Sequence, residues 1–264
     1  MVMFENKVVL VSGSGRGIGA AIAQHFASLG ADVVVNYFRN RQPAEQTAES
    51  IRQMGRKALV VKANMGELED IDRLFESIDH EFHGLDIFIH NAASGYNRSV
   101  MEQRAKGWDW TMNINARSLL FAAQRAVPLM EKRGGGVIVT ISSPGAGRVL
   151  PDYVVVGASK AAIEAITRYL AVELASKNIV VNAVAPGMVL TDALQHFEMV
   201  RTDVHLAEKA TAITPAGRLV NPQDIANVVA FLCSPAASMI RGQVITVDGG
   251  ASLLAPGLEQ HPGS

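Results

Sequence analysis

Cys233 is the only cysteine in 264 residues, which excludes an intrachain disulfide and leaves no thiolate cluster for a metal. An excess of either charge is also missing. The 24 lysines and arginines nearly balance 25 aspartates and glutamates, for a formal net charge of −1. Nothing in that balance argues for nucleic acid or an anionic membrane surface as a partner. No apolar run approaches the length of a membrane span. The opening residues, Met1-Val2-Met3-Phe4-Glu5-Asn6-Lys7, lack the basic-then-apolar pattern of a leader, so the expectation is a cytoplasmic protein in a reducing compartment. The seven histidines follow no metal-like spacing, and His25 and His90 read as packed or surface groups. Repeats, low-complexity tracts and linkers are absent, and one α/β domain can span this length. Only Ala255–Ser264 has the composition of a loose tail.

What is present is an alternation. Hydrophobic content of 48% and 23 glycines suit a compact, helix-covered sheet. Apolar runs at Val8–Val11, Asp32–Asn36, Ala58–Lys62, Asp86–His90, Val137–Ile141, Ile179–Ala183 and Val244–Val247 read as strands. Between them, Ile18, Ile22, Phe26 and Leu29 lie at helical spacing, as do Ile71, Leu74, Phe75 and Ile78. Uninterrupted Val/Ile strands separated by helices predict a parallel sheet covered on both faces. Gly30, Gly55 and Gly84 fall where helices need a left-handed end. The irregular stretch Met188–Ala216 is too long for an ordinary connection and is expected to cover a ligand.

The turn after the first strand reads Gly13-Ser14-Gly15-Arg16-Gly17-Ile18-Gly19 and opens a helix, the setting that a dinucleotide pyrophosphate requires. Gly13 suits the turn, Gly17 the approach of phosphates to backbone, and Gly19 close packing of the helix. At the end of the second strand, where NAD sites place a carboxylate on the ribose, this chain has Asn36-Tyr37-Phe38-Arg39. Arg16 and Arg39 are placed to converge on a 2′-phosphate through forked, permanently charged donors. The cofactor expected is NADPH.

Tyr153 stands seven positions before Lys160, while Val156 stands four before it. At about 100° per residue, seven positions return to within roughly 20° of the starting direction and four to within about 40°. Both positions therefore share the lysine's face, and Pro151-Asp152 marks a helix start that puts Tyr153 in or just before the first turn. These motifs resemble those of the short-chain dehydrogenase/reductase (SDR) family. That resemblance implies a single Rossmann-type, doubly wound α/β domain over residues 1–254, with a seven-stranded parallel sheet between helices. Family members commonly carry the tyrosine at the position of Val156. The Tyr-x6-Lys spacing is instead similar to that of SDR-type enoyl-[acyl-carrier-protein] reductases of the NADPH-dependent FabL branch. So are Asn91-Ala92-Ala93-Ser94-Gly95, Trp108 to Ala116, Thr167 to Leu174, Thr191-Asp192-Ala193-Leu194, Thr214 to Arg218 and Met239 to Gln243. Ala185-Pro186-Gly187 instead follows the commoner family wording.

The resemblance implies catalytic roles for Tyr153 and Lys160, with Ser143 and Asn115 assisting. Lys160 is expected to lower the tyrosine pKa and hold the nicotinamide ribose. The implied cofactor set is Gly13, Ser14, Arg16, Gly17, Ile18, Gly19, Arg39, Asn64, Met65, Asn91, Ala92, Lys160, Pro186, Gly187 and Thr191. Ser94, Tyr96 and Tyr153 are expected to touch substrate, with Tyr96 either a donor from the opposite wall or an apolar contact. Trp108 and Trp110 read as core or interface residues, and no metal is expected.

The displaced tyrosine bears on the reaction. Conjugate reduction builds charge on a carbonyl oxygen two bonds beyond the carbon that receives hydride, and an acid one turn farther along suits that geometry. The expected function is NADPH-dependent reduction of the trans-2 double bond of an enoyl thioester carried on acyl carrier protein in fatty acid synthesis. A reductase of an enoyl-CoA or a ketone in a specialised pathway, and a non-catalytic dinucleotide sensor, stay open beside it. A homotetramer is implied, built on helices near Gln103–Glu131 and Asp152–Ser176.

Overall fold

The computed structural model describes residues 3–189 and 206–254. Seven parallel strands form one sheet in the order β3-β2-β1-β4-β5-β6-β7. They are β1 Val8–Val11, β2 Asp32–Tyr37, β3 Ala58–Lys62, β4 Ile87–His90, β5 Gly136–Ile141, β6 Ile179–Pro186 and β7 Val244–Val247. The described helices are α1 Gly17–Ser28, α2 Arg41–Gln53, α3 Leu68–Phe82, α4 Ala105–Met112, α5 Ser118–Glu131, α6 Val154–Glu173, α7 Leu206–Ala212 and α8 Pro222–Leu232. A π-helical turn, Asn113–Arg117, joins α4 to α5. The expected bounds hold for β1, β3 and β7; β2, β4 and β5 each shift by one residue at one end, and β6 runs on to Pro186, which pairs with Val247.

Strand pleating explains why these strands are apolar throughout. Val9 and Val11 enter one core with Ile22 and Phe26 of α1, Ile51 of α2 and Val229 of α8. Val8 and Leu10 enter the other, with Leu74 of α3, Leu119 of α5 and Ile163 of α6. The inner strands thus bury both faces and cannot alternate with polar residues, while the edge strands β3 and β7 are only partly covered.

Sheet order reverses between β1, which pairs with both β2 and β4, and the two halves that diverge from it. Doubly wound sheets bind ligands at such a switch point, beyond the carboxyl ends of the strands. The glycine loop and the turn after β4 both lie there.

Gly30 and Gly55 take the left-handed conformation, at φ 99° and 76°. At the end of α3 the expectation for Gly84 fails: His83 takes the left-handed position, at φ 56°. Gly84 serves a different need, since a Cβ there would lie 2.7 Å from the Arg133 side chain. Of the expected covering segment, residues 188–189 and 206–216, which include α7, are described. Residues 190–205, including Thr191, and the tail 255–264 lie outside the described residues. Among the described residues no helix is long and apolar enough to cross a membrane.

Candidate active site

The glycine loop is held by its neighbours on every side. Gly13 has φ 65°, and a Cβ on it would lie 2.9 Å from the Ala92 backbone. Its N–H donates to Asn36 Oδ1 at 3.1 Å. Gly17 opens α1 at φ 58°, exposed. A Cβ on Gly19 would meet Asn91 Nδ2 and the Gly13 carbonyl oxygen, each at 2.5 Å. The loop and the turn after β4 can approach this closely only with glycine at 13 and 19. Backbone is thereby left bare at the start of α1, as phosphate binding requires.

Several expected cofactor residues act as braces. Ser14 is buried, donates to the Val11 carbonyl at 2.7 Å and accepts from Asn36 N–H, so its hydroxyl faces inward. Met65 is packed in the core and has no side chain to offer a ligand. Asn64 folds back onto its own turn, where Oδ1 accepts from Gly66 N–H at 3.0 Å. Asn91 donates to the Ser12 and Gly13 carbonyls. Ile18 packs against the core beside α1. Pro186 pairs with β7, and Gly187 N–H donates to the Val247 carbonyl at 2.8 Å.

Two hubs escaped the sequence reading. Buried Ser12 accepts from both Asn91 and Ala92 N–H groups, and buried Asn36 donates to the Ala63 carbonyl at 3.1 Å. In the sequence, Asn36 stands out only as a residue that is not acidic.

Arg16 and Arg39 are both exposed at this end of the sheet. The Arg39 guanidinium carbon lies 5.8 Å from the Trp110 ring centre and 5.9 Å from that of Phe38. Trp110 in turn donates from Nε1 to Ser94 Oγ at 2.9 Å. Beyond the core or interface packing expected of it, Trp110 bridges the arginine and the turn after β4.

Tyr153 immediately precedes α6, with φ −106° and ψ 9°, as the proline-aspartate start predicts. Its hydroxyl lies 3.4 Å from Ser143 Oγ, long for a hydroxyl pair, so both groups can still turn toward a ligand oxygen. Ser143 Oγ also accepts from Gly145 N–H at 3.2 Å. A hydroxyl that accepts twice keeps its own proton for a third partner. Both residues are half-buried.

Lys160 is 5% exposed and donates to the Ile141 carbonyl, the last residue of β5, at 2.7 Å. Burial lowers its pKa to about 8. Burial also raises the Tyr153 pKa, opposed by the bond to Ser143. That net direction is opposite to the expected lowering by Lys160, because desolvation of the phenolate dominates. His90 is buried against Ser118 Oγ at 2.7 Å, its pKa held near 3 by burial and by the Lys160 charge.

Asn115 lies in the π-helical turn, where the extra residue re-aims side chains. Its amide accepts from Ser94 N–H at 2.8 Å and donates to the Ser94 carbonyl and to Ser159 Oγ. These bonds pin the turn after β4 to α6. Tyr96 leans on α4. Its hydroxyl rests where a Cβ of Gly107 would be, on α4, and Arg98 covers its ring at 5.3 Å.

A family model described as Enoyl-(Acyl carrier protein) reductase matches residues 13–252. Hydroxynaphthalene reductase-like protein Arp2 of Metarhizium robertsii is 38% identical over 258 residues, spanning 93% of this chain and 94% of that protein. A solved structure described as 7 alpha-hydroxysteroid dehydrogenase complexed with NADH and 7-oxo glycochenodeoxycholic acid has a TM-score of 0.88 at 36% identity, covering 94% of this chain and 95% of its own. A short chain dehydrogenase from Burkholderia cenocepacia in complex with NADP has a TM-score of 0.87 at 32% identity, covering 95% and 99%.

Proposed function

We propose that this chain, which belongs to the short-chain dehydrogenase/reductase family, reduces the double bond of an enoyl thioester with NADPH. As a family member it is an NAD(P)H-dependent oxidoreductase; the substrate and the choice of NADPH are our reading. The observation that carries the substrate is the exchange of positions on α6. Val156 is buried where the family commonly places its tyrosine, and Tyr153 reaches Ser143 from one turn earlier. The description of the matching family model points the same way.

Bound at the glycine loop, the cofactor supplies a hydride. Gly17 leaves backbone open to its pyrophosphate, Gly13 and Gly19 permit the close packing behind it, and Arg16 and Arg39 stand ready for a 2′-phosphate where no carboxylate repels it. Tyr153 and Ser143 direct their O–H groups at the thioester carbonyl oxygen. As the β-carbon gains hydride, negative charge collects on that oxygen and the Tyr153 phenol donates its proton there. Water returns a proton to the phenolate, and the enol regains its carbonyl by taking a proton at the α-carbon and releasing its O–H proton to water. Lys160, anchored at Ile141, keeps its positive charge below about pH 8. Asn115 and Ser94 fix the wall between the two sites.

The named relatives favour a second reading, carbonyl reduction. One is a hydroxynaphthalene reductase-like protein, and another was solved with a 7-oxo compound. The Ser143–Tyr153 pair can serve a ketone oxygen by the same bonds. Parallel assays with NADPH and matched trans-2-enoyl and 3-oxo thioesters separate the two. We expect oxidation of NADPH with the enoyl thioester, lost by about 100-fold or more in Tyr153→Phe, as removal of a general acid requires. Turnover of the 3-oxo thioester alone would establish the second reading.

A further inference from the structure

The phenol of Tyr153 can reach Ser143 only because a particular place in the loop after β5 has no side chain. A Cβ on Gly145 would lie 2.6 Å from Tyr153 Cε1, 2.7 Å from Cδ1 and 3.2 Å from Leu150 Cδ1. Gly145 does not have the positive φ that would demand glycine for backbone reasons. What excludes a side chain is the ring itself. Gly157, one turn along α6, completes the seat: a Cβ there would lie 2.8 Å from the Gly145 carbonyl oxygen and 3.6 Å from Tyr153 Cδ1.

The neighbouring seat is closed by complementary means. A Cβ on Gly95 would come within 2.3 Å of Val156 Cγ2 and 3.6 Å of Thr111 Cγ2. Val156 is thereby packed directly on the backbone of the turn after β4, 7% exposed. One glycine opens a place for an aromatic ring ahead of α6, and another lets a valine fill the place on its first turn.

We propose that Gly145 is a positioning residue, which seats the Tyr153 ring so that its hydroxyl meets Ser143, while Val156 on Gly95 denies the neighbouring place to a ring. Together they set where along the substrate the proton donor stands. The inference deepens the reading of Tyr153 as the proton donor and rests on it. Gly145 acts twice, since its amide also orients Ser143 Oγ at 3.2 Å. An alanine keeps that amide and alters only the seat.

The test is a double-mutant cycle of Gly145→Ala and Tyr153→Phe, using whichever thioester the native enzyme reduces. Gly145→Ala is expected to lower kcat by about 100-fold, as a displacement of about 1 Å does, with the NADPH Kd unchanged within roughly twofold. It is expected to cost nothing further in the Tyr153→Phe background, because both changes remove the same interaction. An equal loss in both backgrounds, or no loss in the native one, overturns the proposal. If circular dichroism shows Gly145→Ala unfolded, Gly157→Ala presses on the same seat and is judged by the same cycle. Full activity of Tyr153→Phe alone removes the donor assignment and this proposal with it. Loss in Tyr153→Phe without loss in Gly145→Ala removes only the seat. A native preference for the 3-oxo thioester ends the enoyl reading and leaves the cycle intact.

Discussion

Burial moves Tyr153 and Lys160 in opposite directions, and the consequence is a pH dependence of definite sign. A raised phenol pKa keeps Tyr153 protonated through neutral pH, the form an acid needs for reduction. Lys160, lowered to about 8, is the group of the two that titrates first as pH rises. Its charge is full well below about 8 and is lost above it. We therefore expect kcat/KM for reduction to hold steady through neutral pH and to fall with an apparent pKa near 8. A profile still flat at about pH 10 would contradict a role for the Lys160 charge. The Tyr153–Lys160 spacing was legible in the sequence because helical periodicity alone fixes which residues share a face. Gly145, Ser14 and Met65 were not legible. Whether a side chain faces a ligand, a core or a neighbouring ring depends on contacts between residues far apart in the chain, and no local pattern encodes them.

Elements carry the next level of organisation. The connection from β2 to α2 holds Phe38 and Arg39, and α4 holds Trp110, so two distant elements meet at one guanidinium. From Trp110 the contacts continue through Ser94 to Asn115 in the π-helical turn, and on to Ser159 of α6. Arg39→Ala is expected to reduce the preference for NADPH over NADH by about tenfold or more, one hydrogen bond to a charged group being worth roughly 1.5–3 kcal/mol. Cofactor titrations of both nucleotides read this directly, and an unchanged ratio would tie Arg39 to Trp110 alone. The family resemblance marked Gln103–Glu131 as one long helix but not the π-turn within it. That turn inserts a residue without altering the apolar spacing on either side.

At the scale of the whole molecule, the alternation of strand and helix was enough to give the parallel, doubly covered sheet. Both faces of every central strand are apolar, and the switch point follows from the sheet order. Leu120 of α5 and Tyr169 and Val172 of α6 are exposed, a surface of the kind the expected assembly would cover. What the fold leaves open is the bond that is reduced, because one Rossmann scaffold serves many reactions. The most direct measurement gives the enzyme both choices in a single molecule. An α,β-unsaturated ketone incubated with NADPH yields a saturated ketone by conjugate reduction or an allylic alcohol by carbonyl reduction, and mass spectrometry with NMR distinguishes them. The displaced tyrosine predicts the saturated ketone, with its formation lost in Tyr153→Phe. Accumulation of the allylic alcohol would contradict the account.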